Sequence, residues 1–123
     1  MRAPGELAIV LHTHMPYVEG YGTWPSGEEW LWEAVATCYL PLADLLDAGA
    51  PVTLSLTPVL CDQLEAPGCA ERFDAFCRDL RRRSHELDAA DAEPAVAAEL
   101  RRAAGDRREA ADRLAERGGD LLA

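Results

Sequence analysis

Hydrophobic positions divide the chain into two regimes. From Glu6 to His12 the run Glu-Leu-Ala-Ile-Val-Leu-His is almost continuously apolar. That pattern suits a strand buried on both faces, as in a parallel sheet, better than an alternating antiparallel one. Val18 to Pro25, with Gly20, Gly22 and Pro25, reads as loop. Ser26-Gly27-Glu28-Glu29 has the spacing of a capping box, with Ser26 as N-cap and Glu29 reaching back to it. The helix expected to follow sets Trp30, Val35 and Cys38 on one side, with Leu31 and Ala34 nearby. Pro41 lacks an N–H and clashes one turn back, so a kink or break is expected there, then a short helix through Leu45 and Leu46. Gly49 suits a left-handed C-cap and Pro51 cannot continue the helix. Val52 to Leu56 forms a second strand, ended by Thr57-Pro58. Strand, helix, strand is a βαβ unit, which almost always closes right-handed with parallel strands.

A shorter helix is expected over Val59 to Leu64, then a break at Pro67-Gly68. From Ala70 the second regime begins. Phe73, Phe76, Cys77 and Leu80 recur at helical spacing and predict one amphipathic helix. Beyond Arg81 the chain is Arg, Glu, Asp and Ala, and Leu87, Val96, Leu100 and Leu114 leave only a thin stripe, so these helices are expected to be loosely held. The Arg81-Arg82-Arg83 run reads as a solvated helix face. Asp120 with two Leu behind it resembles a helix beginning, so the chain is expected to be truncated. The expected division is a βαβ unit over residues 1–66 and a variable helical segment over 67–123.

Composition narrows the functional classes. The net charge of −10 opposes a nucleic-acid partner, because phosphate recognition needs a basic face. The apolar runs fall short of the roughly 18–20 residues of a membrane span, and the short N-terminal run lacks the cleavage site of a signal peptide. A cytoplasmic protein is expected. Cys38, Cys61, Cys69 and Cys77 lack the paired spacing of zinc sites and read as small buried thiols.

Candidate chemistry lies at the end of the first strand. Residues two apart in a strand point the same way, so His12 and His14 face one side where strand gives way to loop. In parallel α/β barrels these carboxyl ends form the active-site face. Two imidazoles there can donate hydrogen bonds, move protons or hold a metal. Pro16 and Tyr17 fix the exit of the chain, and Trp24 in its Gly/Pro loop is a natural platform for the apolar face of a sugar ring. Trp30 and Trp32 diverge by about 200° in helical projection, and Trp30, nearer the loop, is assigned to the cleft.

Leu11-His12-Thr13-His14-Met15-Pro16-Tyr17-Val18, followed by Trp24-Pro25-x-Gly27-Glu28-Glu29-Trp30-Leu31-x-Glu33-Ala34, resembles the N-terminus of the family 57 α-glucan branching enzymes. Cys38 to Leu42 and Leu56 to Leu60 resemble that family's first helix and second strand. The resemblance covers roughly residues 5 to 65. It implies an α/β fold, the N-terminal part of a TIM-like (β/α)7 barrel followed by a charged helical segment, acting on α-1,4-glucans with retention. It further implies substrate-binding roles for His12, His14, Trp24 and Trp30, and neither a metal nor an organic cofactor. The family's Glu nucleophile and Asp acid/base have no counterpart here and are expected beyond residue 123; such a pair sits close together in retaining enzymes. Glu28, Glu29 and Glu33 are assigned structural roles by the capping argument, and the isolated chain is expected to be inactive. Two other readings stand beside this one. In the first, His-x-His binds a metal in a barrel hydrolase; that needs further ligands, for which His85 in its charged helix is a poor candidate. In the second, the chain is a truncated, non-catalytic interaction protein.

Overall fold

The computed structural model describes residues 5–23 and 25–122. Two short parallel strands, β1 (Ile9–His12) and β2 (Val52–Ser55), pair in the register Ile9–Val52 to His12–Ser55. Between them runs a helix in three parts: α1 (Glu29–Ala34), a π-turn (Val35–Tyr39) and α2 (Leu40–Asp47). After β2 come α3 (Pro58–Leu64), α4 (Cys69–Ala75), a second π-turn (Phe76–Leu80), α5 (Arg81–Ala90) and the long α6 (Pro94–Glu116). The order matches the expected βαβ unit followed by helices.

Local details depart from the sequence expectations at several points. The capping box does not form: α1 starts at Glu29, and its first free N–H groups are taken by loop carbonyls, Glu28 N–H to Gly22 O (2.8 Å) and Glu29 N–H to Thr23 O (3.2 Å). Gly27 makes this possible, since a Cβ there would lie 2.0 Å from Gly22 O. Pro41 neither breaks nor ends the helix. It sits in the first turn of α2, just after the π-turn, where Leu40 N–H reaches back five residues to Val35 O. Widening the ladder there absorbs the missing donor and the ring clash. The buried face of α1 is Leu31 and Trp32, with Trp30 55% exposed and Cys38 exposed, so the expected Trp30–Val35–Cys38 face is rotated. Finally, β1 is paired on one edge, and Ile9 and Val10 are exposed where burial on both faces was expected. At the end of α2 the Gly49 cap forms as expected: its φ is +82°, its N–H bonds Leu46 O (2.8 Å) and Ala50 N–H bonds Leu45 O (2.9 Å).

One core joins both halves of the chain. Leu31, Trp32, Val35 and Leu40 meet Leu60 from α3, Phe73, Phe76 and Cys77 from the next helix, and Ala110, Ala111 and Leu114 from α6. The expected thin stripe holds at Leu114, which is buried, but not at Leu87 and Val96, which are exposed. The helices pack through alanines instead: Ala89 on α5 and Ala97, Ala104, Ala110 and Ala111 on α6 are buried. All four cysteines are free; Cys38 is exposed and Cys61 half-buried, against the expectation of buried thiols. Burial pushes the Cys69 thiol up to about 11 and the Cys77 thiol up to about 12, so both are protonated at neutral pH.

Of the Arg run, Arg83 is exposed as expected, but Arg81 and Arg82 are engaged in ion pairs. Arg81 lies 2.6 Å from the Glu33 carboxylate, and Arg107 of α6 meets the same carboxylate at 2.8 Å. Arg82 pairs with Glu86 in its own helix. Glu28 accepts from Arg72 of α4 at 3.1 Å. Glu28 and Glu33 are structural through these pairs rather than through capping, while burial pushes the Glu29 carboxyl up, partly offset by Arg81.

His85 is buried beside this cluster, its Nδ1 without a hydrogen-bond partner among the described residues. Burial pushes its pKa down; Arg81 on its own helix and Arg107 on α6 add to this, while Glu33 on α1 and Asp88 act the other way. Below about pH 6.5 the unfolded chain therefore takes up a proton at this site before the folded chain does. Stability is expected to fall as pH drops from about 6.5 toward the lowered folded-state value, with no contribution from this residue above it. Urea unfolding midpoints between pH 5 and 8 check this, and His85→Gln should flatten the slope in that window. An unchanged slope in the variant would assign the pH dependence to other groups.

Candidate functional site

The pleat sorts β1 and β2 into two faces. Thr13, Leu54 and Leu56 turn toward α2 and α3, lining an apolar cavity with Leu42, Leu46 and Leu60. Residues of opposite parity, Val10, His12, Thr53 and Ser55, lie on the other face, which no described helix covers. His12 and His14 are both exposed on this side, as their spacing predicts.

At the strand ends the pairing becomes specific. His12 Nδ1 lies 3.1 Å from Ser55 Oγ, the two being register partners. This bond fixes the ring's orientation and leaves Nε2 free to meet a ligand on the open face. One residue on, Ser55 O accepts both the backbone N–H of Thr13 (2.9 Å) and its hydroxyl (2.9 Å). Thr13 is buried between the two exposed histidines. It thus anchors the strand end that carries them.

The loop beyond His14 is held from below by Gln63 of α3, a buried amide bonded to the backbone at Pro16 and Val18. Tyr17 stands 51% exposed above it, its hydroxyl donating to Glu19 at 2.9 Å, a bond that pushes the phenol pKa up. Trp30 projects outward from the first turn of α1, and no ring contact joins it to the histidines among the described residues. Trp24 lies outside the described residues. The structure therefore joins His12 to Ser55, with His14 exposed two residues further on and Tyr17 on the adjoining loop. Ser55 and Gln63 had not been singled out from the sequence. Ser55 was detectable as the polar residue at the end of the second strand; Gln63 had no signal, since a glutamine on a short helix is ordinarily at the surface.

The chemistry open to this set is hydrogen bonding, from imidazoles and a serine hydroxyl at the strand ends and a phenol on the adjoining loop. Among the described residues no group of three His, Cys, Asp or Glu side chains is placed to hold a metal ion. The Glu28 and Glu33 carboxylates are engaged with arginines of the helical half. Among the described residues no helix is long and apolar enough to cross a membrane.

No family model matches the chain. Comparison with individual proteins is decisive. A GH57-type branching enzyme from the hyperthermophilic archaeon Pyrococcus horikoshii superposes with a TM-score of 0.79 at 32% identity, over 96% of this chain and 23% of that one. This chain belongs to the GH57 family. The GH57 branching enzyme of Thermococcus kodakaraensis, solved in complex with glucose, superposes with a TM-score of 0.71 at 33% identity, over 95% of this chain and 22% of its own. A probable 1,4-α-glucan branching enzyme of Mycobacterium tuberculosis is 39% identical over 89 residues, 68% of this chain and 17% of the relative. The chain thus spans less than a quarter of the length of each of these relatives. The match extends well past residue 65, where the sequence motifs thin out, because 96% coverage includes the Ala-rich helices.

Proposed function

We propose that the full-length protein is a 1,4-α-glucan branching enzyme, retaining in mechanism, of which this chain supplies one wall of the substrate cleft. The observation that carries the reading is the uncovered His12–Ser55 strand end in a chain whose relatives are named as branching enzymes. β1 and β2 are then the first two strands of a (β/α)7 barrel. Their exposed face, with Val10 and His12, turns to the barrel interior, and residues 67–123 form the helical insertion that packs outside it. His12, His14, Trp24 and Trp30 bind α-glucan through hydrogen bonds to hydroxyls and stacking on apolar sugar faces. The two carboxylates that break and remake the glycosidic bond come from outside this chain, at the short separation retaining chemistry needs. A cytoplasmic location suits a soluble glucan substrate.

Incubating the full-length protein with amylose, then debranching and resolving the released chains, tests the assignment. New α-1,6 linkages are expected; products with α-1,4 linkages alone would overturn branching and leave a glucanotransferase or amylase. The isolated 123-residue chain should give neither product, because the wall lacks the reacting carboxylates.

A further inference from the structure

We propose that Gln63 is a positioning residue of the glucan-facing wall, acting by standing in for a strand. Its side chain is 1% exposed. Oε1 accepts the backbone N–H of Val18 at 2.7 Å, and Nε2 donates to Pro16 O at 3.1 Å. In a parallel ladder a residue donates its N–H to the carbonyl before its neighbour and accepts from the N–H after it. Gln63 does this to Tyr17 with one side chain, engaging Pro16 O on one side and Val18 N–H on the other. The remaining Nε2 hydrogen goes to Val59 O at 3.1 Å, one turn back on α3. Both donors and one acceptor lone pair are therefore used, which fixes the amide's orientation as well as its place.

The backbone pairing of β1 with β2 ends with Thr13 N–H on Ser55 O. Beyond that point no strand among the described residues pairs with the segment carrying His14 and Tyr17, and Met15 and Val18 are its buried anchors. Hydrophobic anchors set depth but not register, since apolar contact is non-directional. The Gln63 amide supplies the missing direction. It ties the loop to α3, which follows directly from the strand bearing Ser55, so that Ser55 holds His12 and Gln63 holds Tyr17 from one continuous stretch of chain. An ångström of drift at such a wall is enough to cost about a hundredfold in rate.

The role in glucan binding rests on the proposed function; the positioning itself does not. The test uses the full-length protein with Gln63→Leu, which removes all three bonds, and Gln63→Glu, which keeps the acceptor for Val18 and loses the donors. Amide hydrogen exchange and maltoheptaose binding are measured at a temperature where each variant is folded by circular dichroism. In Gln63→Leu, exchange at Val18 should rise by about tenfold or more while Thr13 stays protected, and maltoheptaose affinity should fall by about tenfold or more. Gln63→Glu should keep Val18 protected yet lose part of the affinity. Unchanged Val18 exchange in Gln63→Leu overturns the proposal, as does a uniform rise at Val18 and Thr13 alike, which marks general loosening. If the wild type binds no maltoheptaose, the glucan reading falls, and the exchange result still decides whether Gln63 holds the segment.

Discussion

Trp32→Ala is expected to destabilise the chain by about 4 kcal/mol, whereas Trp30→Ala, two residues away, should cost under about 0.5 kcal/mol. Trp32 is 1% exposed, packs against Phe73 with ring centroids 6.1 Å apart, and lies under the Arg72 guanidinium at 5.9 Å. Removing it opens a cavity at the meeting point of α1, α3, α4 and α6, which fixed helices on several sides cannot collapse to fill. Trp30 is 55% exposed and contributes no such contact. Trp32→Phe separates volume from polarity. The indole Nε1 is buried without a hydrogen-bond partner among the described residues, so phenylalanine sheds that unpaired donor along with part of the volume, and a loss under about 2 kcal/mol is expected. Urea unfolding followed by far-ultraviolet circular dichroism reads all three. Equal losses for Trp30→Ala and Trp32→Ala would mean that the helix is rotated relative to this structure.

That pair of tryptophans shows what the sequence could and could not reveal. Periodicity placed them on opposite sides of α1, and they are. Which one faced inward needed the phase of the helix, and the phase is set by α4 and α6, whose contacts lie 40 to 80 residues away. The capping box failed for a related reason. Ser26 and Glu29 have the right spacing, yet the loop folds back so that Gly22 and Thr23 carbonyls reach the first turn before any side chain does. Gly27 was legible as a glycine but not as the one position where the backbone approach is too close for a Cβ. The alanines of α5 and α6 were passed over because pattern reading looks for large apolar residues. Small residues can bury a helix contact by letting backbones approach, with little transfer energy per residue, and so leave almost no hydrophobic signal.

The strand end was more legible than the wall around it. His12 and His14 followed from alternation alone, and the motif through Tyr17 pointed to the family. Ser55 left only the weak signal of a polar residue ending the second strand and Gln63 left none, because each pairs with a partner 43 to 47 residues distant and pairing at that range has no periodicity. A buried glutamine is invisible to hydropathy; only the unmet backbone groups at Pro16 and Val18 call for it.

Glu33→Ala is the second substitution with a large expected effect, about 3 kcal/mol, and its cause is charge rather than volume. The Glu33 carboxylate holds Arg81 of α5 and Arg107 of α6, whose side chains are only 22% and 16% exposed. Truncating it takes the shared carboxylate away from two poorly solvated guanidiniums at the joint between the βαβ unit and the helical segment, beside the buried His85. The exposed cluster of Arg102 with Glu99 and Asp106, 48–69% exposed, is the internal control: Glu99→Ala should cost under about 0.5 kcal/mol because water screens that pair. Raising salt to 1 M should likewise weaken the Arg102 cluster while leaving most of the Glu33 contribution in place, since a partly buried pair is screened less. A combined Glu33→Leu, Arg107→Met variant should recover part of the loss, by removing the Arg107 charge and replacing its ion pair with apolar contact. If Glu33→Ala instead behaves like Glu99→Ala, the two halves are held by the alanine and phenylalanine packing alone, and the arginine run is the solvated face that its sequence first suggested.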